Sequence, residues 1–119
     1  MKKTIIIGAS TNPERYSYKA AESLTRHGHE IVMFGKNGGS VFGKDIIAEK
    51  IDVPDVDTIT IYVNPANQKE WYDYILQTKP KRLVFNPGTE NDELKNLAEK
   101  NNIQTEEACT LVLLSTKQY

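Results

Sequence analysis

The sequence predicts an α/β fold, a single doubly wound domain with a five-stranded parallel sheet and helices on both faces. Three observations carry this expectation. Ile5-Ile6-Ile7 is an unbroken β-branched run, the pattern of a strand covered on both sides. Short apolar runs of the same kind recur, separated by segments of helical period. Each run stops at Gly, Asn or Pro, the residues of tight turns. The length of 119 residues suits one domain and suffices to bury a core of its own. No internal repeat, linker or low-complexity stretch interrupts it.

The elements follow in order. The first strand ends at Gly8-Ala9-Ser10, and Thr11-Asn12-Pro13-Glu14-Arg15 has turn and helix-start chemistry. Residues 16–26 have helical period, with Tyr16, Ala20, Ala21, Ser23 and Leu24 able to form one packing face and Gly28 as the stop. Ile31-Val32-Met33-Phe34 is the second strand, followed by a glycine-rich loop over 35–40. Residues 41–55 are weakly patterned and read as a short turn or strand. Residues 58–63 form the third strand, stopped by Asn64-Pro65, and 66–78 read as a helix with Trp71, Tyr74, Ile75 and Thr78 at packing spacing. Residues 81–85 are the fourth strand, stopped by Asn86-Pro87-Gly88. A helix over 90–100 turns Leu94, Leu97 and Ala98 inward, Ile103-Gln104-Thr105 is a fifth strand, and 108–114 is a last helix. This alternation gives right-handed βαβ units and a Rossmann-like strand order of 3-2-1-4-5.

Composition narrows the function. Hydrophobic residues make up 39% and charged residues 26%, a globular balance. Lys plus Arg total 15 against 16 Asp plus Glu, which gives no electrostatic case for nucleic acid as a partner. The one cysteine, Cys109, can form neither an internal disulfide nor a zinc site by itself. No run approaches the roughly 20 apolar residues of a membrane span, and the start of the chain lacks a signal-peptide pattern. A cytoplasmic protein without membrane contact is expected.

In an open parallel sheet, ligands bind at the carboxyl ends of the strands. Those ends here carry Gly8-Ala9-Ser10, Gly35-Lys36, Asn64-Pro65 and Asn86-Pro87-Gly88. Each loop alone is explained by turn-making, whereas four at one edge favour a site. A helix starting near Pro13 or Glu14 aims free amides and its positive dipole end at the first loop, which suits phosphate. Gly8 lets the chain turn there, and Ser10 and Asn12 can bond a ligand or cap the helix. The dinucleotide fingerprint G-x-G-x-x-G fits poorly, with Ser10 and Pro13 where its second and third glycines belong. Lys36 stands where an acid would hold a ribose hydroxyl, and it suits a phosphate on the ribose, as in NADP or coenzyme A. A solvated surface lysine is the plainer alternative. Arg15 and Lys19, four apart on one helix face, oppose the helix dipole, a conflict that a bound phosphate would remove; exposed charges with Glu14 and Glu22 as partners are the alternative. His27 and His29 fall at the opposite edge of the sheet. No hydrolytic or metal constellation is visible, and Ser10 is not in a G-x-S-x-G elbow.

The runs from Gly8 to Tyr18, from Asn86 to Asn91 and from Glu107 to Thr110 resemble the small stand-alone CoA-binding domain family. That family is similar in fold to the N-terminal CoA-binding domain of the succinyl-CoA synthetase α subunit. The resemblance spans nearly the whole chain. It implies a coenzyme A site in which Gly8, Ser10, Asn12, Pro13 and Arg15 meet the phosphates; Ala9, in the same loop, and Lys19, on the helix face of Arg15, are counted with the cofactor-binding residues. It implies Lys36 near the adenosine or its 3′-phosphate, and Asn64 and Pro65 beside the adenine or pantetheine. Asn86, Pro87, Gly88 and Cys109 then border the same edge, where a pantetheine thiol could reach Cys109, although a buried, inert cysteine is the simpler reading. One departure is Gly35, where family members usually carry proline before the lysine. The synthetase's phosphohistidine loop and second subunit have no counterpart, so ligase activity does not carry over. The expectation is a non-catalytic coenzyme A binding protein. An NADP-dependent or CoA-handling enzyme is the alternative, and a structural protein that keeps the fold without the ligand is the third reading.

Overall fold

The computed structural model describes residues 1–119, and its sheet has seven strands rather than the expected five. In chain order they are β1 (Thr4–Ile7), β2 (Ile31–Phe34), β3 (Ser40–Val41), β4 (Lys44–Ile47), β5 (Thr58–Ile61), β6 (Arg82–Phe85) and β7 (Gln104–Glu107). The helices are α1 (Tyr16–Arg26), α2 (Tyr72–Thr78), α3 (Asp92–Lys100) and α4 (Thr110–Ser115). Across the sheet the order is β3-β4-β2-β1-β5-β6-β7. β3 runs antiparallel to β4 and all other pairings are parallel, so the sheet is mixed.

The order 3-2-1-4-5 is thereby corrected. β5, read as the third strand and expected beside β2, pairs with β1 through Thr4↔Thr58 and Ile7↔Ile61. β4 takes the place beside β2, through Met33↔Ile46 and Phe34↔Ile47. The reason is local. Gly38, Gly39 and Gly43 have φ of +64°, +108° and +75°, a region that side chains disfavour. The chain therefore doubles back as a tight hairpin directly after β2 instead of entering a helix. Ile46 is the one buried residue of β3 and β4, so the apolar signal of this hairpin is short.

Two layers of helix cover the sheet, as the fold class requires. Ile5, Ile7, Phe34, Ile59, Ile61, Leu83 and Phe85 pack on one face against Ile75 of α2 and Leu94 and Ala98 of α3. Ile6, Met33, Ile46 and Val84 pack on the other face against Ala21 and Leu24 of α1 and Leu113 and Leu114 of α4. The alternation along β1 follows from the period of two in a strand. β5 shows a sharper version of it. Ile59 and Ile61 join the first core, while Thr58 and Thr60, both fully buried, find hydrogen-bond partners. The Thr60 hydroxyl lies 2.8 Å from that of Thr110 and accepts from Asn86 Nδ2 at 2.6 Å.

At the amino end of the sheet sits a second polar cluster. Arg82 is 6% exposed; its Nε donates to Thr58 Oγ1 at 3.1 Å and its Nη1 pairs with Glu106 Oε1 at 3.2 Å. Its guanidinium lies 4.4 Å from the centre of the Tyr119 ring. The Tyr119 hydroxyl is 2.5 Å from Thr4 Oγ1, and the Lys2 ammonium donates to the Tyr119 carbonyl.

α1 spans the expected residues, with one correction. Tyr16 is 66% exposed, and its place on the packing face is taken by Ser17. The expected helix over 66–78 is broken. Two single 3-10 turns, Pro65–Asn67 and Lys69–Trp71, precede α2. Between them Gln68 turns inward and donates to the Val63 and Thr89 carbonyls at 2.9 and 2.8 Å. No helix is long and apolar enough to cross a membrane.

Candidate functional site

Because β1, β2, β5 and β6 are parallel neighbours, their carboxyl ends share one edge, and a cleft of about 670 Å3 opens there. Its size is that of a small-molecule site. Its walls are the loop after β1, the loop after β2, Tyr62 and Val63 after β5, Trp71, and Pro87 and Thr89 after β6.

Glycine lets these walls meet. Gly8 has φ +95°, and a Cβ there would stand 2.9 Å from Val63 Cγ1 and 3.1 Å from the Tyr62 carbonyl carbon. The amides of Gly8 and Ala9 both donate to the Phe34 carbonyl at 2.9 Å, which ties the first loop to the end of β2. A Cβ on Gly35 would overlap the Ala9 carbonyl oxygen, and one on Gly39 would stand 2.5 Å from Thr11 Cγ2. The Gly35 amide also donates to the Ile47 carbonyl at 3.1 Å, a bond that proline cannot make.

The start of α1 faces the cleft with its donors free. No side chain caps the helix, and its first turn holds no acid. The amides of Ser10, Thr11, Tyr16 and Ser17 have no partner in the protein. With the partial positive charge of the helix end, they form a set of donors suited to an anion. Arg15 stands at the N-cap with an extended backbone and lines the cleft together with Lys36. Glu14 and Glu70 are the carboxylates of the lining. No histidine or cysteine lines it, and no group of three or more metal-ligating side chains is present anywhere.

Of the residues singled out in the sequence, Gly8, Ala9, Ser10, Arg15, Lys36 and Pro87 line the cleft. Asn12 and Pro13 lie outside the lining. The Asn12 amide donates to Ser10 Oγ at 3.0 Å and its Oδ1 accepts from the Glu14 amide at 3.0 Å, so it shapes the first loop without capping α1. Lys19 lies over the Tyr16 ring at 5.3 Å. Asn64 caps the 3-10 turn that begins at Pro65, accepting from the Asn67 amide at 3.1 Å. Asn86 is buried beneath the edge and holds the Thr60 hydroxyl, the Ile61 carbonyl and the Thr110 amide. Gly88 is exposed, with its amide bonded to Glu90 Oε1 at 2.9 Å. Cys109 is a half-buried free thiol at the start of α4. It neighbours Tyr62, whose phenol burial holds well above the ordinary range, with hydrogen bonds to Thr110 and Thr60 acting the other way.

The sequence reading missed Tyr16, Tyr62, Val63, Glu70 and Trp71 as lining residues. Tyr16 follows Arg15 directly, and its signal was a large aromatic at a helix start facing a loop. Glu70 and Trp71 reach the cleft because the segment before α2 is a pair of 3-10 turns rather than continuous helix.

Comparison with known proteins agrees with this architecture. Residues 2–115 match the family described as CoA binding domain. No curated protein matches the chain at a significant level. The fold is similar to a crystal structure of an uncharacterized protein at 50% identity and TM-score 0.98, covering 100% of this chain and 98% of that one. A conserved hypothetical protein from Pyrococcus furiosus is similar at 24% identity and TM-score 0.80, over 98% of this chain and 99% of that chain. A dinucleotide-forming acetyl-coenzyme A synthetase 1 from Ca. Korarchaeum cryptofilum, in complex with phosphate and ADP, shares the fold at 18% identity and TM-score 0.74, over 90% of this chain and 25% of that one. With nearly its whole length matched and a phosphate-suited helix start at the carboxyl edge of its sheet, the chain belongs to the CoA-binding domain family.

Proposed function

We propose that the chain binds coenzyme A in this cleft and does so without catalysing a reaction. The observation that carries the reading is the uncapped start of α1, where four unpartnered amides and Arg15 face one cleft. Donors of this kind fit a pyrophosphate, because they need no side-chain movement to receive an anion. Gly8 and Ala9 leave room for its approach, and Ser10 and Asn12 hold the loop that presents the amides. Lys36 supplies the cation for a phosphate on the ribose. A module of this fold makes up a quarter of the acetyl-coenzyme A synthetase chain, in keeping with a part that holds a ligand.

Calorimetry with coenzyme A, dephospho-coenzyme A and NADP tests the proposal. Coenzyme A is expected to bind, and dephospho-coenzyme A to bind about tenfold more weakly, the worth of one charge-assisted contact. Equal affinities for the two remove Lys36 from recognition of the 3′-phosphate. Tight NADP binding without coenzyme A binding overturns the proposal in favour of an NADP-dependent protein.

A further inference from the structure

One buried side chain joins two walls of the cleft from behind. Gln68 is 1% exposed and does not line the cleft. Its Nε2 donates to the Val63 carbonyl at 2.9 Å, in the loop after β5, and to the Thr89 carbonyl at 2.8 Å, in the loop after β6. Its Oε1 accepts from Asn91 Nδ2 at 2.9 Å. Two carbonyls on one side and an N–H on the other admit the amide in one orientation only. No main-chain hydrogen bond joins the two loops, yet Val63 and Thr89 both stand in the cleft wall. The spacing of these walls therefore rests on a side chain.

The main chain of Gln68 extends the same hold to a third segment. Its amide donates to the Pro65 carbonyl at 3.1 Å and its carbonyl accepts from the Trp71 amide at 2.8 Å. The two 3-10 turns that carry Glu70 and Trp71 to the cleft thus meet at this residue. Asn91 braces it from the far side. Its Oδ1 caps α3 by accepting from the Leu94 amide at 3.3 Å, and its Nδ2 also donates to the Tyr72 hydroxyl at 2.9 Å. A satisfied buried network of this kind fixes one arrangement of the groups around it, and a cleft held ready loses less freedom when it is filled. We infer that Gln68 is a positioning residue for the cleft, setting the separation of Val63 and Thr89 and the place of Trp71 without touching the ligand. This rests on the reading that the cleft takes coenzyme A.

Trp71 is the one tryptophan of the chain, and its ring centre lies 5.5 Å from those of Phe34 and Tyr74, so its emission reports on its place against the core. The test compares the whole protein with Gln68→Met, which keeps the length and removes the amide, and with Gln68→Asn, which keeps a buried amide one methylene short of both carbonyls. Unfolding curves identify the conditions in which each variant is folded. In those conditions Gln68→Met is expected to weaken coenzyme A binding about tenfold, the worth of one ordinary hydrogen bond, and Gln68→Asn to weaken it by a smaller factor. Both are expected to move the ligand-free Trp71 emission to longer wavelength. Glu106→Gln, at the opposite end of the sheet, serves as the control for lost stability and is expected to change neither affinity nor emission. Unchanged coenzyme A affinity or unchanged emission in the folded Gln68 variants overturns the inference and leaves the coenzyme A reading intact. An equal fall in affinity in Glu106→Gln also overturns it, since the loss would then follow stability alone. Absence of coenzyme A binding by the unaltered protein overturns the reading and the inference together.

Discussion

The two ends of the sheet treat polar groups in opposite ways. At the amino end, Thr4, Thr58 and Arg82 begin β1, β5 and β6, and each is buried and partnered inside the protein. At the carboxyl end, the amides of Ser10, Thr11, Tyr16 and Ser17 are left without partners, and Arg15 and Lys36 are exposed. Buried donors are for the most part satisfied within the chain, as Arg82 Nε and Nη1 are, whereas donors that line a cleft are free to meet a ligand. The strands give both ends the same backbone geometry. What separates a bracing end from a binding end is the residue type at strand starts against strand ends.

The largest effect is expected from breaking the bracing end. Glu106→Gln leaves the buried Arg82 charge without its counter-ion, and Arg82 Nη2 already has no partner. A loss of about 3 kcal/mol in unfolding free energy is expected, with coenzyme A affinity of the folded protein unchanged. Denaturant unfolding beside calorimetry measures both, and a fall in affinity would join two ends that are otherwise separate.

Arg15→Ala reverses the pattern. It is expected to weaken coenzyme A binding about tenfold and to leave stability level or slightly higher, since a cation at a helix start opposes the dipole. An unchanged affinity in calorimetry would return Arg15 to the class of solvated charges.

The smallest effect sharpens the comparison by pH. His29 accepts from the Lys2 amide at 2.9 Å and packs on Tyr119 with ring centres 5.0 Å apart. Burial, helped by the nearby charges of His27 and Lys2, holds its pKa below the ordinary 6.5. The folded protein then binds fewer protons than the unfolded chain in the range from 6.5 downward, so stability falls as pH drops through that range. His29→Gln is expected to flatten this shallow slope in unfolding curves taken from pH 7 to 5. A slope of the same size in the variant would assign it to other groups.

Of the strands at the centre of the sheet, β1, β2 and β6 were legible as apolar runs and β5 as an alternation of β-branched Thr and Ile, and α1 because Ala20, Ala21 and Leu24 repeat at helical spacing. The edge hairpin was not, because Ile46 is the one buried residue of β3 and β4 and its partner strand contributes a two-residue register. That single omission displaced β5 to the wrong side of β2 in the expected order. The first loop of the site was readable from Gly8 to Arg15, since the chemistry of a helix start is local. Glu70 and Trp71 were not, because their place at the cleft depends on the 3-10 turns before α2 and on Gln68 turning inward. No spacing within one segment encodes either.

Gly35 against Ala9 and Gly39 against Thr11 have a bearing on how this cleft can change. At Gly35 the neighbour is the Ala9 carbonyl, so the distance between the two loops is set there by main chain, whereas at Gly39 it is the Thr11 methyl; substitution at Gly35 breaks the walls rather than adjusting them. Variation that alters ligand preference therefore falls to lining side chains standing free of that contact, Arg15, Tyr16, Lys36 and Trp71. A library built to redirect the site would vary those four and hold the glycines fixed, exploring what the opening recognises without changing how wide it is.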